Sequence, residues 1–414
     1  MYRILDRTSV PDYLRSIPAV NEVLGEGELE IGEIGDGNLN YVYRVTNVDD
    51  PKRAVILKQA VPYLRMAGED WPLSRDRMTF EIRALTVYND LVPGFVPKMF
   101  HADEEMSAMV MQFLDDHIIL RKGMIDGITY PDVARHIGNF LGETLFRTSS
   151  YGMASEDRRQ LMDRFTLNSE LCKLTEDFIF TFPYMTHSSN YSNPSTDAWA
   201  DANLRNNTEY KLDVLAFKDL FLTKTDALLH ADLHTGSLMV NQAESYVIDM
   251  EFAYFGPFGF DVGKIISNFL LCATAHVHLS GGAEYRSWLI DQIGEIWNVF
   301  SERFLALWNE EGDSAMLHEG LLDAGELASM QERFMLDLFQ QSIGFAACSM
   351  ARRTLGIAGV ADIRDIEDLE IRSSLEIANL EMSMALMAKR TELTTIDELL
   401  AFARHFYDNY SFKR

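Results

Sequence analysis

The stretch from residue 228 to 252 constrains this chain most. Two short apolar runs, Leu238-Met239-Val240 and Tyr246-Val247-Ile248, flank the polar turn Asn241 to Ser245, which is the pattern of a tight hairpin. A hairpin of that size folds its ends together, so Asp232 and Asp249, 17 positions apart, are expected to face one small volume. Glu251 follows two positions later, and on an extended chain alternate residues share a face. Both metal-strand carboxylates are therefore expected to point the same way. Carboxylates gathered at a hairpin end suit phosphoryl transfer, where one accepts a hydroxyl proton and others hold magnesium. A lone His-x-Asp is more often a turn cap. The second carboxylate cluster, the segment Gly256-Pro257-Phe258-Gly259 and Asp261 ahead of a helix weigh toward the chemical reading.

Upstream context has the order that such chemistry needs. Alternation from Leu29 to Ile34 breaks at Gly35-Asp36-Gly37-Asn38-Leu39-Asn40 and resumes through Tyr41, Tyr43 and Val45. Glycines in that turn allow backbone N–H groups to lie over phosphates, although any tight hairpin uses the same residues. The strand 54–59 carries Lys58, and a helix beginning near Asp76 carries Glu81. A Gly-turn, a strand lysine and a helix glutamate in sequence can hold nucleotide phosphates through an ion-paired lysine. Between them, 68–77 is too long for a minimal connection and includes Trp71; such a loop is either a lid or a surface insertion. Strand-like 107–113 then runs into Leu114-Asp115-Asp116. This divides the chain into a small β-rich lobe, 1–113, and a larger, mainly helical lobe, 114–414.

Helices are expected at 131–149, 168–180, 211–226, 261–278, 284–308, 325–354 and 366–389, and a long surface loop at 187–206, which is rich in Ser, Asn and Thr. Near the end of one long helix, Arg352 and Arg353 point about 100° apart, so at least one is expected in the cleft. Sixty-three acidic against thirty-seven basic residues give a net charge of −26, which argues against nucleic acid or an anionic membrane as partner. Cys172, Cys272 and Cys348 lack metal-ligand spacing; they are expected to be buried thiols in a reducing compartment. Without a signal peptide or a spanning apolar run, the expected location is cytoplasmic.

These residues together resemble the 5-methylthioribose kinases, in the aminoglycoside phosphotransferase and choline kinase branch of the protein-kinase-like fold. The similarity runs through Gly35-Asp36-Gly37-Asn38, Lys58 to Tyr63, Trp71-Pro72, His117 to Gly123, His230 to Ser237, Asp249 to Ala253 and Arg352-Arg353. Ser237 stands where the broader branch carries Asn, and Asp249-Met250-Glu251 replaces its Asp-Phe/Ile-Gly. Ala231 stands where the family commonly has Gly, and Met250 where it has Pro.

The resemblance implies an α+β bilobal fold, ATP and Mg2+ as cofactors, transfer to the anomeric hydroxyl of 5-methylthioribose, and a homodimer. It implies Asp232 as base or orienting carboxylate and Asp249 and Glu251 as metal ligands. Lys58 with Glu81 would position phosphates, and Gly35, Asp36, Gly37, Asn38 and Asn40 would cover them. Met111, Gln112, Phe113 and Leu114 would form the adenine hinge, with Trp71, Arg352 and Arg353 closing over the sugar. Two alternatives stay open at this level: a kinase of another alcohol, of aminoglycoside or choline type, and a nucleotide-binding pseudoenzyme marked by Ser237.

Overall fold

The computed structural model describes residues 2–34, 39–65, 68–191, 193–279, 281–310, 313–357 and 359–412. Its N-terminal part is a five-stranded antiparallel sheet of β1 (Leu29–Glu33), β2 (Asn40–Asn47), β3 (Ala54–Ala60), β6 (Met99–Asp103) and β7 (Ala108–Gln112), in the order β1-β2-β3-β7-β6. The expected strands are present to within a residue or two at their ends. In this central position β3 is buried along its whole length. Its alternate residues serve different neighbours, as the period of two requires. Val55 and Leu57 join a small core with Val110 and with Leu5, Val10, Leu14, Val20 and Leu24. Those last residues come from the N-terminal segment and from α1 (Val10–Arg15) and α2 (Pro18–Leu24). Both helices escaped the sequence reading because they are too short to show a period; each starts with a proline in its first turn, where the missing N–H costs nothing.

The opposite face of the sheet receives α3 (Asp76–Leu91), whose Met78, Phe80, Ile82, Leu85 and Tyr88 belong to the main core that continues into the helical part. Between sheet and helix, β4 (Tyr63–Leu64) and β5 (Gly68–Pro72) form a small hairpin. The Trp71 stretch, expected as a long lid loop or surface insertion, is thus partly strand.

After β7 the chain crosses to β8 (Ile118–Ile119), which pairs with β10 (Leu238–Val240); β10 in turn pairs with β11 (Ser245–Val247), matching Leu238 to Val247 and Val240 to Ser245. A second pair, β9 (Ala227–Leu229) with β12 (Tyr254–Gly256), closes the stem of the 228–252 stretch. The hairpin is where its sequence put it. The stem strands are three residues each, too short to be told from loop by pattern alone.

All seven expected helices are present, as Val133–Arg147, Ser169–Phe178, Thr208–Thr223, Gly259–Ala275, Gly282–Glu310, Ala324–Leu355 and Leu369–Lys389. The expected loop at 187–206 is corrected: Pro194–Ala200 is an α-helix that passes into a π-turn, Asp201–Arg205. Pro194 opens it, and Thr196, Ala200 and Leu204 are its buried face, a spacing that the polar composition hides. A last helix, Ile396–Asn409, has a capping box from Thr395 and Glu398.

Every residue of Gly259–Ala275 is buried, and it packs closely on Ala324–Leu355. A Cβ at Gly263 would lie 2.5 Å from the Ser342 carbonyl oxygen and 2.8 Å from Phe345 Cβ, and one at Gly259 would lie 2.9 Å from Gln341 Cβ. Only glycine permits that approach. All three cysteines are free, with Cys272 and Cys348 buried and Cys172 half-buried, less enclosed than expected. Among the described residues no helix is long and apolar enough to cross a membrane.

Candidate active site

The site begins with Lys58. As the strand alternates, Gln59 turns toward the N-terminal segment and bonds Leu5 and Arg3 through their backbone, while Lys58 faces α3. Its Nζ donates to Glu81 Oε1 at 2.7 Å and to Asp249 Oδ1 at 2.6 Å. Burial disfavours the ammonium, but Asp249 and Glu81, with Glu251 beyond, more than offset it, so the Lys58 pKa is raised. Burial pushes Glu81 and Glu251 upward against the pull of Lys58.

Asp249 adopts a left-handed conformation, φ 65° and ψ 54°, and Met250–Phe252 form a single 3-10 turn. This corrects the expected extended Asp-x-Glu: the chain bends between the two carboxylates, and they take different partners. Asp249, its side chain half exposed, meets Lys58. Glu251 is buried and accepts from Asn40 Nδ2 at 2.9 Å, with Arg77 Nε 3.7 Å away. The turn is fixed from outside by Asn168, whose Nδ2 donates to the carbonyls of Glu251 and Ala253 at 2.9 Å.

Arg77 was not singled out by sequence. Its guanidinium donates to Asn40 Oδ1 and to the carbonyls of Leu39, Val61 and Ser74. One buried fork thus joins Leu39 and Asn40 at the start of β2, the chain after β3, the exit of the Trp71 hairpin and Glu251. In this cluster Glu81, Asp249 and Glu251 face two cations, Lys58 and Arg77. The half-exposed Asp249 carboxylate, with Glu251 near it, offers oxygen donors of the kind taken by a hard dication such as Mg2+, which takes few protein ligands and keeps waters. Among the described residues no three His, Cys, Asp or Glu side chains are placed to hold a metal unaided.

Asp232 lies in the loop after β9. Ala231 has φ 64°, a conformation that disfavours any residue with a Cβ and explains the glycine usual there. Asp261, at the start of its helix, accepts from the backbone N–H of His230 at 2.8 Å and of Ala231 at 3.0 Å. His230 links the two halves of the site: Nδ1 accepts from the Asp232 amide at 3.2 Å, and Nε2 donates to the Ile248 carbonyl at 2.8 Å. Ser237 is buried, and its hydroxyl closes the loop, accepting from His234 N and donating toward the Asp232 carbonyl at 3.0 Å. Its side chain is committed to the loop.

The Asp232 carboxylate is held on both oxygens. Lys264 Nζ contacts Oδ1, Arg353 Nη2 is 3.7 Å from the same oxygen, and His234 Nε2 is 3.3 Å from Oδ2. Burial opposes its ionisation, yet Lys264, His234 and Arg353 prevail and hold its pKa well below the usual carboxylate range. Burial and Arg353 push His234 well below its ordinary value against the pull of Asp232, so it donates as a neutral ring. Arg121 braces the loop through Thr235 Oγ1 at 3.2 Å and Asn268 at 2.9 Å.

Of the residues expected at the site, Asn40, Lys58, Glu81, Asp249 and Glu251 form one cluster, and Asp232 and Arg353 a second. Arg352, half-buried, also acts electrostatically with Asp232. Met111 and Gln112 end β7 opposite Ile56 and Val55; Phe113 lies under the Arg44 guanidinium at 4.3 Å and Leu114 is buried. Trp71 is half-buried on β5, in a hairpin whose exit is tied to the helical part by Ser74 N–H donating to Glu170 Oε2 at 2.7 Å. Gly35, Asp36, Gly37 and Asn38 lie outside the described residues. Lys264 and Arg77 were missed. Lys264 did leave a signal, a lone cation inside the apolar run from Val262 to Ile266, since an interior lysine needs a partner.

Residues 30–295 match the Phosphotransferase enzyme family. Methylthioribose kinase 1 of Oryza sativa subsp. japonica is 36% identical over 98% of this chain and 96% of its own length. Methylthioribose kinase of Bacillus cereus (strain AH820) is 42% identical over 79% of each chain. Kinship at that level across nearly the whole length, with the two charged clusters both in place, means that the chain belongs to the methylthioribose kinase family.

Proposed function

We propose that this protein transfers the γ-phosphoryl group of ATP to the anomeric hydroxyl of 5-methylthioribose, giving 5-methylthioribose 1-phosphate and ADP, a step of methionine salvage. The observation that carries the reading is Asp232 under Arg353 and Lys264, in a chain of this family. Asp232 orients the acceptor hydroxyl and takes its proton as the new O–P bond forms and the bond from the γ-phosphorus to the bridging oxygen breaks. In a loose transition state little covalent work falls to the protein, and catalysis is positioning and charge stabilisation. Lys58, steadied by Glu81, positions the α and β phosphates. Gly35, Asp36, Gly37 and Asn38, with Asn40, cover them, and the Met111–Leu114 hinge borders adenine. Asp249 and Glu251 would hold Mg2+, which would neutralise phosphate charge. Arg353 and Arg352, with the Trp71 hairpin, enclose the sugar.

The same reading has residues 1–113 and 114–414 as its two lobes and a homodimer in the cytoplasm as its working form. The dimer rests on family resemblance, and the location on three unpaired cysteines. The test is ATP consumption against a panel of 5-methylthioribose, choline and an aminoglycoside, with the product examined by phosphorus NMR. Magnesium-dependent turnover with the thiosugar and an anomeric phosphate resonance are expected. Turnover with choline or the aminoglycoside alone, or with none of the three, overturns the proposal. Light scattering in solution at one chain mass would remove the dimer.

A further inference from the structure

Asp232 Oδ1 is held by a side chain that the proposed mechanism leaves without a task. Lys264 is 3% exposed and projects from the helix Gly259–Ala275 within an otherwise apolar run. Its Nζ contacts Asp232 Oδ1, lies 3.4 Å from the Ala231 carbonyl and 5.4 Å from the Phe260 ring. A lysine buried this far is costly unless it has a fixed partner, and Asp232 is that partner. The charged groups around it are Asp232 on the loop, Asp261 one turn earlier on its own helix, and Arg352 and Arg353 on the facing helix. His230 and His234 flank them on the loop, bonded to Asp261 and Asp232.

We infer that Lys264 is a positioning residue for the acceptor-activating carboxylate: it pins Oδ1, so that Oδ2, which takes one hydrogen bond from His234, keeps its other lone pair for the sugar hydroxyl. The inference rests on the proposed transfer to 5-methylthioribose. It makes the charge of Lys264, and not only its bulk, part of the active geometry. Burial, reinforced by Arg353 and Arg352 and opposed by Asp232, brings the Lys264 ammonium down to about 8. Below that pH the pair is intact. Above it the lysine becomes neutral and Asp232 loses its anchor, so kcat should fall with an alkaline limb that an always-charged arginine would move upward.

The experiment compares wild type, Lys264→Met and Lys264→Arg, recording kcat, the KM of each substrate, a melting curve and the pH dependence of kcat from 6 to 10. Lys264→Met is expected to lose at least about tenfold in kcat, with the KM for ATP changed less than about threefold. Lys264→Arg is expected to recover most of that loss and to hold its rate past the wild-type alkaline limb. A merely structural lysine would give a methionine variant with lowered melting but normal kcat and an arginine variant with the wild-type limb, and either result overturns the inference. If the methionine variant does not fold, the arginine profile decides, and a wild-type kcat that is flat to pH 10 overturns the inference without any variant. Wild type that fails to phosphorylate 5-methylthioribose at any pH condemns the functional proposal itself; active wild type with indifferent variants removes only the role of Lys264.

Discussion

The two charged clusters of the site are built with opposite signs. Around Lys58, three carboxylates, Glu81, Asp249 and Glu251, face two cations. Around Asp232, one carboxylate faces Lys264, Arg353 and the nearby Arg352. Each half lacks what its guest brings. In the first, carboxyl groups outnumber cations, which suits a dication with its phosphates, whereas in the second cations outnumber carboxylates, which suits a phosphoryl group on the move. Charge placed in advance costs no reorganisation when the transition state forms. The net charge of −26 would predict neither arrangement, because it belongs to the whole surface and not to the cleft.

Either cluster loses its balance when one charged side chain is removed. Asp249→Ala removes the exposed carboxylate of the first cluster and leaves Lys58 with Glu81; magnesium-dependent turnover should vanish, with Glu251→Ala losing as much or less. A magnesium titration unchanged in both variants would refute the metal assignment. In the second cluster, Asp232→Asn should cut turnover by roughly 10²–10⁴-fold, the usual share of general acid–base help, while calorimetry finds ATP binding nearly intact. Near-normal turnover would mean that another group handles the hydroxyl.

Arg353→Met should lower kcat/KM for the sugar by at least about tenfold, equivalent to roughly 1.4 kcal/mol, and more than Arg352→Met, since Arg353 Nη2 lies 3.7 Å from Asp232 Oδ1. Equal and negligible effects in two well-folded variants would place the sugar elsewhere. The smallest effect concerns the backbone. Ala231→Gly should raise stability by about 0.5–1 kcal/mol by relieving a Cβ at φ 64°, read as an upward shift of the urea midpoint; a downward shift would show that the loop is not strained there.

What could be read in the sequence was what is local or paired by pattern. The hairpin 238–247 follows from alternation around a polar turn, and Lys58 with Glu81 from their order along the chain. Arg353 was anticipated only as one of two, because helical geometry alone cannot say which of two adjacent side chains meets the cleft. The Asp-x-Glu geometry was misjudged because Asp249 turns left-handed, and nothing in its neighbours signals a positive φ. Arg77 and Lys264 act through partners scattered across the chain, from Leu39 to Glu251 and from Asp232 to Arg353. Such roles belong to the assembled molecule and leave only a trace, a lone charge in an apolar run.

Gly263 carries that dependence one step further. Lys264 and Arg353 meet at one carboxylate because two long helices touch where residue 263 offers only a hydrogen atom. The electrical setting of the base is therefore held by a steric tolerance one residue away on the same helix, where the close neighbours are Ser342, Phe345 and Ala346. A single added methyl there, typically worth about 1–3 kcal/mol of overpacking, would act as a detuning screw: the chemistry-bearing side chains would all remain, yet the spacing that makes them a unit would be gone. Conservative substitution at an uncharged, buried, seemingly idle position can in this way silence the site without altering any residue that a reader of catalytic groups would inspect.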